Sequence, residues 1–388
     1  MQKGISQRTR PLRHTLAALL VVVALVVAYP ARGRPELTVR ALWASVPAED
    51  PVLDATGSEA LIPVVLDGGF AYLTPEGSIA YRGRTAYGVA LCDAAFVNHS
   101  RTPSQLVLQH PDGAYRSTVP VAGYPVFAGG RLLVIADAGG AVSEWTLEGD
   151  RIWRMELPAP LLSLDASSDH LVLGPLAGGP IVIDQSGARV DLGSPGAQKH
   201  PVVYRVALGG TPDRLAILSG TAPAADDRTP DTDTGGLVLS LYDLASGRAD
   251  LLARRAISGA ANADALVALF SDHRLLYGRD YPDPVVVGLE PDGSLEYELS
   301  LPYPARAAVE LSGLPLYAVL SSGALPDPAR GFLPPASLVV ADRAGRVAAS
   351  ARWAAASVTI AHHEWIDHAG LMTIRLDDRV LAVRMEVR

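Results

Sequence analysis

The chain has 388 residues, a formal net charge of −8 and 49% hydrophobic residues. The acidic balance argues against a nucleic-acid partner, because phosphates attract clustered Lys and Arg. Cys92 is the only cysteine, which excludes an intrachain disulfide. On its apolar strand we expect it to be a small buried hydrophobe and not a reactive thiol.

The first predicted element is a membrane segment. Residues 1–14 carry four Lys or Arg and no acid, and residues 15–31 form an uncharged apolar run at the short end of what spans a bilayer. A cleaved signal peptide starts in the same way, but the small residues wanted before a cut are poorly matched here. We favour an uncleaved segment at 15–31 that anchors a single-pass inner-membrane protein. Residues 1–14 are then cytoplasmic and residues 36–388 extracytoplasmic or periplasmic.

A repeat of strands and turns follows the anchor. Glu36–Ser45 is predicted as one strand and Val46–Glu59 as a connector. Seven times an apolar run then ends in a short polar turn with a glycine and resumes as another strand; the glycines are Gly77, Gly113, Gly149, Gly187, Gly247, Gly293 and Gly345. The first three intervals are 36, 36 and 38 residues, the length of one four-stranded blade. The pattern predicts an all-β chain folded as a single β-propeller.

The outer strands of these repeats show period-two alternation. After Gly149, Trp153 and Met155 share one side. After Gly293, Leu295, Tyr297 and Leu299 are expected to share the buried side.

Closure of the ring is predicted to use both ends of the chain. After Gly345 the sequence offers three more strands and then stops, so Glu36–Ser45 can supply the fourth strand and remove an open sheet edge. Seven complete turns and one split blade favour eight blades. Because Leu61–Ala86 is short for a full blade, seven blades are an alternative.

The later repeats are longer because residues are inserted between their second and third strands. The insertions are Thr221–Gly236, Arg279–Pro284 and Ser321–Ala336, all rich in Pro, Asp and Gly. Insertions at one position of successive repeats fall on one face, often the binding face. We therefore predict a protein partner there, with Tyr281, Arg330, Phe332, Asp231 and Asp233 as candidate partner-binding residues.

The hairpin at residues 142–157, VSEWTLEGDRIWRMEL, resembles the repeat of quinoprotein-type (PQQ-like, WD40-like) β-propellers. In that superfamily a strand ends in a polar-glycine turn and the next strand opens toward a tryptophan, as Trp153 does. Tyr297 takes that position once, and the other repeats are expected to lack an aromatic residue there. The resemblance includes non-catalytic periplasmic propellers of the outer-membrane assembly type and implies no activity. Quinoprotein dehydrogenases resembling this pattern use an adjacent cysteine pair that the sequence lacks.

Two groups of potential metal ligands have simpler interpretations. Residues 362–368, HHEWIDH, are the densest group, but Asp-His recurs just before the second strand of three repeats, at Asp169-His170, Asp272-His273 and Asp367-His368. A recurring Asp there is expected to cap backbone N–H groups of a turn. The acidic segment 225–236 lacks the terminal bidentate acid of a calcium loop. We assign no metal-binding, cofactor-binding or catalytic residue.

Two classes of function remain open. The leading one is a membrane-tethered extracytoplasmic propeller that acts as a protein-binding scaffold. The alternative is an enzyme, a hydrolase or lyase, or a propeller that binds a small ligand or metal, with a site at the central channel. Catalysis would require convergent acids, His or Arg on the inner strands, and the inner strands identified in the sequence are apolar.

Overall fold

The computed structural model describes residues 37–45, 61–66, 68–136, 139–192, 202–210, 213–220, 237–244, 248–257, 266–279, 284–311, 316–322, 335–354, 358–366, 369–376 and 379–387. Within these ranges the chain forms 31 strands and no α-helix, which confirms the all-β prediction. No helix in this part of the chain has the length and apolar character needed to cross a membrane. The predicted anchor at 15–31 and the basic segment before it lie outside the described residues.

The described strands form eight antiparallel sheets, numbered here in chain order. The first strand, β1 (Leu37–Ser45), joins the last sheet. Sheet 1 contains β2 (Ile62–Leu66), β3 (Gly69–Leu73) and β4 (Ile79–Arg84). Sheet 2 contains β5 (Gly88–Leu91), β6 (Phe96–His99), β7 (Leu106–Gln109) and β8 (Tyr115–Val119). Sheet 3 contains β9 (Tyr124–Ala128), β10 (Arg131–Ile135), β11 (Ala141–Trp145) and β12 (Arg151–Glu156).

The next three sheets repeat the four-stranded pattern. Sheet 4 contains β13 (Leu161–Ala166), β14 (His170–Pro175), β15 (Ile181–Asp184) and the short β16 (Arg189–Val190). Sheet 5 contains β17 (Val202–Gly209), β18 (Arg214–Gly220), β19 (Leu237–Asp243) and β20 (Asp250–Ile257). Sheet 6 contains β21 (Val267–Leu269), β22 (Leu275–Arg279), β23 (Val285–Leu289) and β24 (Leu295–Ser300).

The last two sheets bring the ends of the chain together. Sheet 7 contains β25 (Ala305–Leu311), β26 (Leu316–Ser322), β27 (Pro335–Asp342) and β28 (Val347–Ala354). Sheet 8 contains β29 (Val358–Ile366), β30 (Ala369–Leu376) and β31 (Arg379–Val387), and its fourth strand is β1. β1 pairs antiparallel with β31, from Leu37 opposite Val387 to Ser45 opposite Val380. The predicted closure by the N-terminal strand is confirmed.

Neighbouring sheets pack face to face around a ring. The described residues contain eight buried apolar clusters, and each fills one junction between neighbouring sheets. Val380 of sheet 8, for example, packs with Ile62 and Val64 of sheet 1, which closes the ring. The first strand of a sheet lies innermost, since β5 contacts β9, β17 contacts β21 and β25 contacts β29. Burial of each sheet against its neighbours holds such a repeat together.

The turn between the last two strands is nearly the same in most sheets. Six of the predicted turn glycines have φ between 72° and 95°, the left-handed region that glycine adopts without a side-chain clash. In each of these turns the glycine N–H donates to the carbonyl three residues earlier, as Gly149 does to Thr146 at 3.2 Å. These six turns confirm the prediction; Gly247 lies outside the described residues.

A β-bulge follows the turn and alters the predicted side-chain directions. In five sheets the residue three positions after the glycine is the extra one in the pairing of the last two strands: Ala80, Arg116, Ile152, Glu296 and Ala348. An extra residue inverts the alternation that precedes it. The prediction that Leu295 shares the buried side of Tyr297 is therefore wrong, and Leu295 is 48% exposed. Glu296 instead turns toward Arg274, 2.6 Å away.

Five of the six described turn glycines pack against the last strand of the preceding sheet. A Cβ at Gly187 would lie 2.7 Å from Cγ of Trp153, and one at Gly345 would lie 2.5 Å from Cδ2 of Tyr297. Gly113 stands in the same relation to Tyr81, with 2.6 Å to Cε2. An aromatic residue four positions after the turn glycine was expected only at Trp153 and Tyr297. This expectation is wrong for sheet 1, where Tyr81 follows Gly77 by the same four positions.

Candidate functional site

The ring has two distinct faces, because successive strands of a sheet run in opposite directions. The glycine turns and the first-to-second connections lie on one face, which we call the turn face. The second-to-third connections and the links to the next sheet lie on the other, which we call the insertion face. Central cavity, turn face and insertion face are the three places where a propeller can present a site.

The insertion face carries the three predicted insertions at equivalent places in three successive sheets. Residues 221–236 join β18 to β19, residues 280–284 join β22 to β23, and residues 323–334 join β26 to β27. Sheets 5, 6 and 7 are neighbours, since β17 contacts β21 and β22 contacts β25. The candidate residues themselves, Tyr281, Arg330, Phe332, Asp231 and Asp233, lie outside the described residues, so their predicted roles stay predictions.

The central cavity opens toward the turn face and has a volume of about 380 Å³. The ends of four inner strands line it, in sheets 4 to 7. Two of its lining residues are acidic, Asp165 on β13 and Glu310 on β25. The strands identified as apolar in the sequence were second strands, such as residues 131–136 and 214–219, so these two acids on first strands were not predicted. The sequence signal was an acid near the end of an otherwise apolar strand.

Both cavity carboxylates accept hydrogen bonds from the backbone of the ring. Asp165 accepts from the N–H of Ala166 at 2.9 Å and from that of Leu208, in the next sheet, at 2.8 Å. Burial raises the pKa of the Asp165 carboxyl, with the backbone hydrogen bonds acting in the opposite direction. Glu310 accepts from the N–H of Ser271, in the preceding sheet, at 2.8 Å. The two acids connect neighbouring sheets.

A serine, a histidine and an aspartate meet beside the cavity, where sheet 4 contacts sheet 5. Nδ1 of His170 lies 2.7 Å from Oδ2 of Asp213, and Oγ of Ser167 donates to the same Asp213 oxygen. In a nucleophilic triad the serine hydroxyl faces the other ring nitrogen of the histidine, which removes its proton. Here the serine is bonded to the acid, so the arrangement joins two sheets and does not activate a nucleophile.

The recurring Asp-His pairs have different local partners. Asp272 accepts from the N–H of Arg274 at 3.2 Å, as a turn-capping Asp should. Asp169 does not cap its turn: Oγ of Ser167 accepts from the N–H of His170 at 3.0 Å, and Asp169 accepts from the Gln185 side chain at 2.7 Å. The capping prediction is thus confirmed for Asp272 and wrong for Asp169.

The remaining metal and thiol predictions have separate outcomes. Asp367 and His368 lie outside the described residues, as do the side chains of the neighbouring ligand candidates from His362 onward. Within the described residues no group of three or more His, Cys, Asp or Glu is placed to hold a metal. Cys92 is half-buried, its Sγ donates to the Ala95 carbonyl at 3.4 Å, and burial raises the pKa of its thiol. A raised thiol pKa makes it a poor nucleophile at neutral pH.

Comparison with known proteins agrees with this architecture. A family model described as "beta-propeller protein" matches residues 40–224. The structure of BamB from Moraxella catarrhalis is similar with a TM-score of 0.53 and 16% identity, over 89% of this chain and 99% of that chain. The computationally designed Ika8 protein gives a TM-score of 0.55 and 16% identity, over 84% of this chain and 94% of that chain. No curated protein matches the sequence.

An enzyme structure also shares the fold. The dihydro-heme d1 dehydrogenase NirN, in complex with DHE, gives a TM-score of 0.52 and 13% identity, over 89% of this chain and 78% of that chain. At such identities the likeness concerns the fold alone. A choice between binding and catalysis therefore has to come from the residues of this chain.

Proposed function

We propose that this β-propeller repeat protein is a membrane-tethered extracytoplasmic scaffold, without enzymatic activity, that binds a protein partner through its insertion face. The eight sheets are the eight blades of one closed ring. The observation that carries the proposal is the hydrogen bonding of the two cavity acids. Asp165 and Glu310 accept backbone N–H groups of neighbouring sheets, which are structural roles. Nearby, Asp213 of sheet 5 accepts a hydrogen bond from Ser167 of sheet 4 and so also connects two sheets.

The tether fits the position where the ring begins. β1 starts at Leu37 opposite Val387, and β31 runs from the insertion face to the turn face. The N-terminus of β1 therefore lies on the turn face. Residues 32–36 can span at most about 18 Å beyond an anchor at 15–31. With the anchor joined to the turn face over so short a distance, the insertion face is directed away from the bilayer.

The resemblance to non-catalytic periplasmic propellers supports the same choice. A rigid ring that positions connections of different lengths on one side is a common way to build a recognition surface. The three insertions on sheets 5 to 7 add Pro-, Asp- and Gly-rich chain to that side. Such a recognition surface suits a macromolecular partner better than a small substrate.

The proposal is tested by partner capture from solubilised membranes with the full-length chain. The combined variant Tyr281→Ala, Arg330→Ala and Phe332→Ala, shown to unfold as cooperatively as wild type, should lose the captured protein. A matched triple change on the turn face, Asp112→Ala, Glu148→Ala and Ser294→Ala, should retain it. If the wild-type chain captures no protein under any crosslinking condition, the scaffold proposal fails.

A further inference from the structure

Three aromatic rings form a row on the insertion face, one of them exposed and two half-buried. We call Tyr87, His99 and Tyr124 the aromatic row. The ring centroids of Tyr87 and His99 are 6.3 Å apart, and those of His99 and Tyr124 are 5.9 Å apart, each pair meeting edge to face. Tyr87 is 58% exposed although it is large and largely apolar. An exposed aromatic group of this kind indicates an interaction site.

The backbone positions of the row place it beside the central channel. Tyr87 precedes the innermost strand of sheet 2, and Tyr124 begins the innermost strand of sheet 3. His99 ends the second strand of sheet 2, where the second-to-third connection starts. All three positions are on the insertion face. The row thus lies on the same face as the three insertions, on different sheets of the ring.

The rings are held in place by hydrogen bonds. The Tyr124 hydroxyl donates to the Arg101 carbonyl at 3.1 Å, and the Tyr87 N–H donates to the His99 carbonyl at 3.1 Å. Nδ1 of His99 lies 2.9 Å from the Ser100 carbonyl, which can only accept, so this nitrogen carries the proton. The histidine ring lies directly over Gly88, where a Cβ would come within 2.7 Å of Nε2. Only a residue without a side chain leaves room for it.

The side chain of Asn98 fixes the turn that carries Tyr87. Its Nδ2 donates to the Arg84 carbonyl at 2.8 Å, and its Oδ1 accepts from the Ala86 N–H at 2.9 Å. Both ends of the amide are therefore engaged with the link between sheets 1 and 2. A binding surface fixed in this way before its partner arrives loses little conformational entropy on association.

Two arginines flank the row. Arg84 and Arg101 are both exposed. Within the described part of the chain, neither guanidinium forms an ion pair. Aromatic rings together with arginine are the composition of interface hot spots. The pair of arginines is opposite in sign to the net charge of −8 of the whole chain, which favours an acidic partner at this place.

We propose that the aromatic row binds an extended segment of a protein partner that has apolar side chains at alternate positions and acidic residues at its ends. The inference deepens the scaffold function proposed above and rests on it. Alternate side chains of an extended chain are about 6.6 Å apart, close to the spacing of the three rings. The apolar side chains pack on the rings, and the acidic ends pair with Arg84 and Arg101.

The location favours a protein segment over a lipid surface. Tyrosine and arginine also occur where proteins contact anionic lipid headgroups. The anchor, however, joins the ring on the turn face, so the row is directed away from the bilayer. Lipid binding is therefore an outcome that the experiment must be able to reveal, with vesicles as a separate arm.

The test uses the full-length protein in detergent micelles and a fluorescent peptide, Glu-Glu-Val-Ser-Ile-Ser-Val-Glu-Glu, with fluorescence anisotropy as the readout. Wild-type protein should bind this peptide and not its counterpart with Lys in place of Glu. The double variant Arg84→Glu and Arg101→Glu should weaken binding at least tenfold. Arg151→Glu with Arg189→Glu, two arginines that are also exposed but lie on outer strands, is the matched control and should leave the affinity unchanged.

A second variant separates the rings from the charges. Gly88→Ala should displace His99 and weaken peptide binding, whereas Gly140→Ala, where a Cβ has open space, should not. The inference is overturned if the Arg84 and Arg101 variant binds the peptide with the same affinity as wild type. It is also overturned if wild type binds phosphatidylglycerol vesicles but not the peptide. If the Arg84→Glu and Arg101→Glu variant still captures the membrane-derived partner, the aromatic row is not the binding site, while the proposed scaffold function still holds. Failure of wild type to capture any partner refutes the scaffold itself.

Discussion

Five of the described turn glycines are constrained both by a left-handed φ and by a close neighbour, and substitution can distinguish the two effects. Gly187 has a φ of 85° and faces Trp153, so a methyl group there meets both backbone strain and the indole. Gly130 has a φ of 76° but open space around its Cβ position. We expect Gly130→Ala to lower the free energy of unfolding by about 1–2 kcal/mol through the left-handed backbone alone. Gly187→Ala should cost measurably more in the same urea titration. Equal losses would mean that the contact with Trp153 contributes nothing.

A buried charge pair beside that indole is a second point of sensitivity. Glu144 accepts from Nε of Arg131 at 2.8 Å and from Nε1 of Trp153 at 2.6 Å, and the side chains of the ion pair are only 7% and 9% exposed. Glu144→Gln leaves a buried guanidinium without its counter-charge, so we expect a loss of about 3 kcal/mol.

The matched control for Glu144 is a surface pair in the same sheet. Glu156 and Arg154 are 72% and 49% exposed, where solvent screens the attraction. Glu156→Gln should leave the unfolding midpoint nearly unchanged. If both variants unfold at the same denaturant concentration, the network around Glu144 is not a stabilising element of sheet 3.

Asp165 gives the stability a dependence on pH. Burial raises the pKa of its carboxyl in the folded protein, so ionisation is less favourable there than in the unfolded chain. The contribution of the protonated acid to stability is complete below the usual Asp pKa of about 4 and is lost as pH rises through the raised value. The free energy of unfolding of wild type minus that of Asp165→Asn should therefore fall as pH rises through this window. A difference that rises with pH would contradict the assignment.

At the scale of strands, the sequence predicted what depends on local chemistry. Apolar runs and glycine turns identify the hairpins, because a left-handed φ and a period of two can be read from residue type. The bulge at Glu296 could not be predicted, since an extra residue is visible only when the register with β23 is known. The acids Asp165 and Glu310 were missed for a similar reason: their partners are backbone N–H groups from neighbouring sheets. The row of Tyr87, His99 and Tyr124 is assembled from three separate segments, so no local sequence pattern predicts it.

The strand that closes the ring, β1, can be deleted without changing the other strands of the chain. β31 lies beside it in sheet 8, and Ala382, Val383 and Met385 of that strand are buried. Deleting residues 37–45 exposes the edge of β31, so we expect loss of a single cooperative melting transition and aggregation. Deleting residues 1–30 instead should leave melting unchanged, because the strand remains. Unchanged cooperativity after loss of 37–45 would show that the pairing does not hold the ring closed.

For the whole molecule, the architecture sets the orientation of the two faces. The proposed anchor precedes β1, whose first residue lies on the turn face opposite Val387 at the end of β31. A reporter that is active only outside the cytoplasm, fused after Arg388, should therefore give signal, as the basic residues before the anchor predict. An inactive but intact fusion would place the ring in the cytoplasm and remove the basis for an extracytoplasmic scaffold.

Photo-crosslinking in cells tests most directly whether the insertion face is the binding face. A photoreactive amino acid is placed in the full-length chain at exposed positions on each face, Thr102 and Gln105 on the insertion face and Ser294 and Ala344 on the turn face. We expect protein adducts of defined mass from the first two positions and none from the last two. Adducts that form only from Ser294 and Ala344 would place the partner on the turn face and contradict the proposed function.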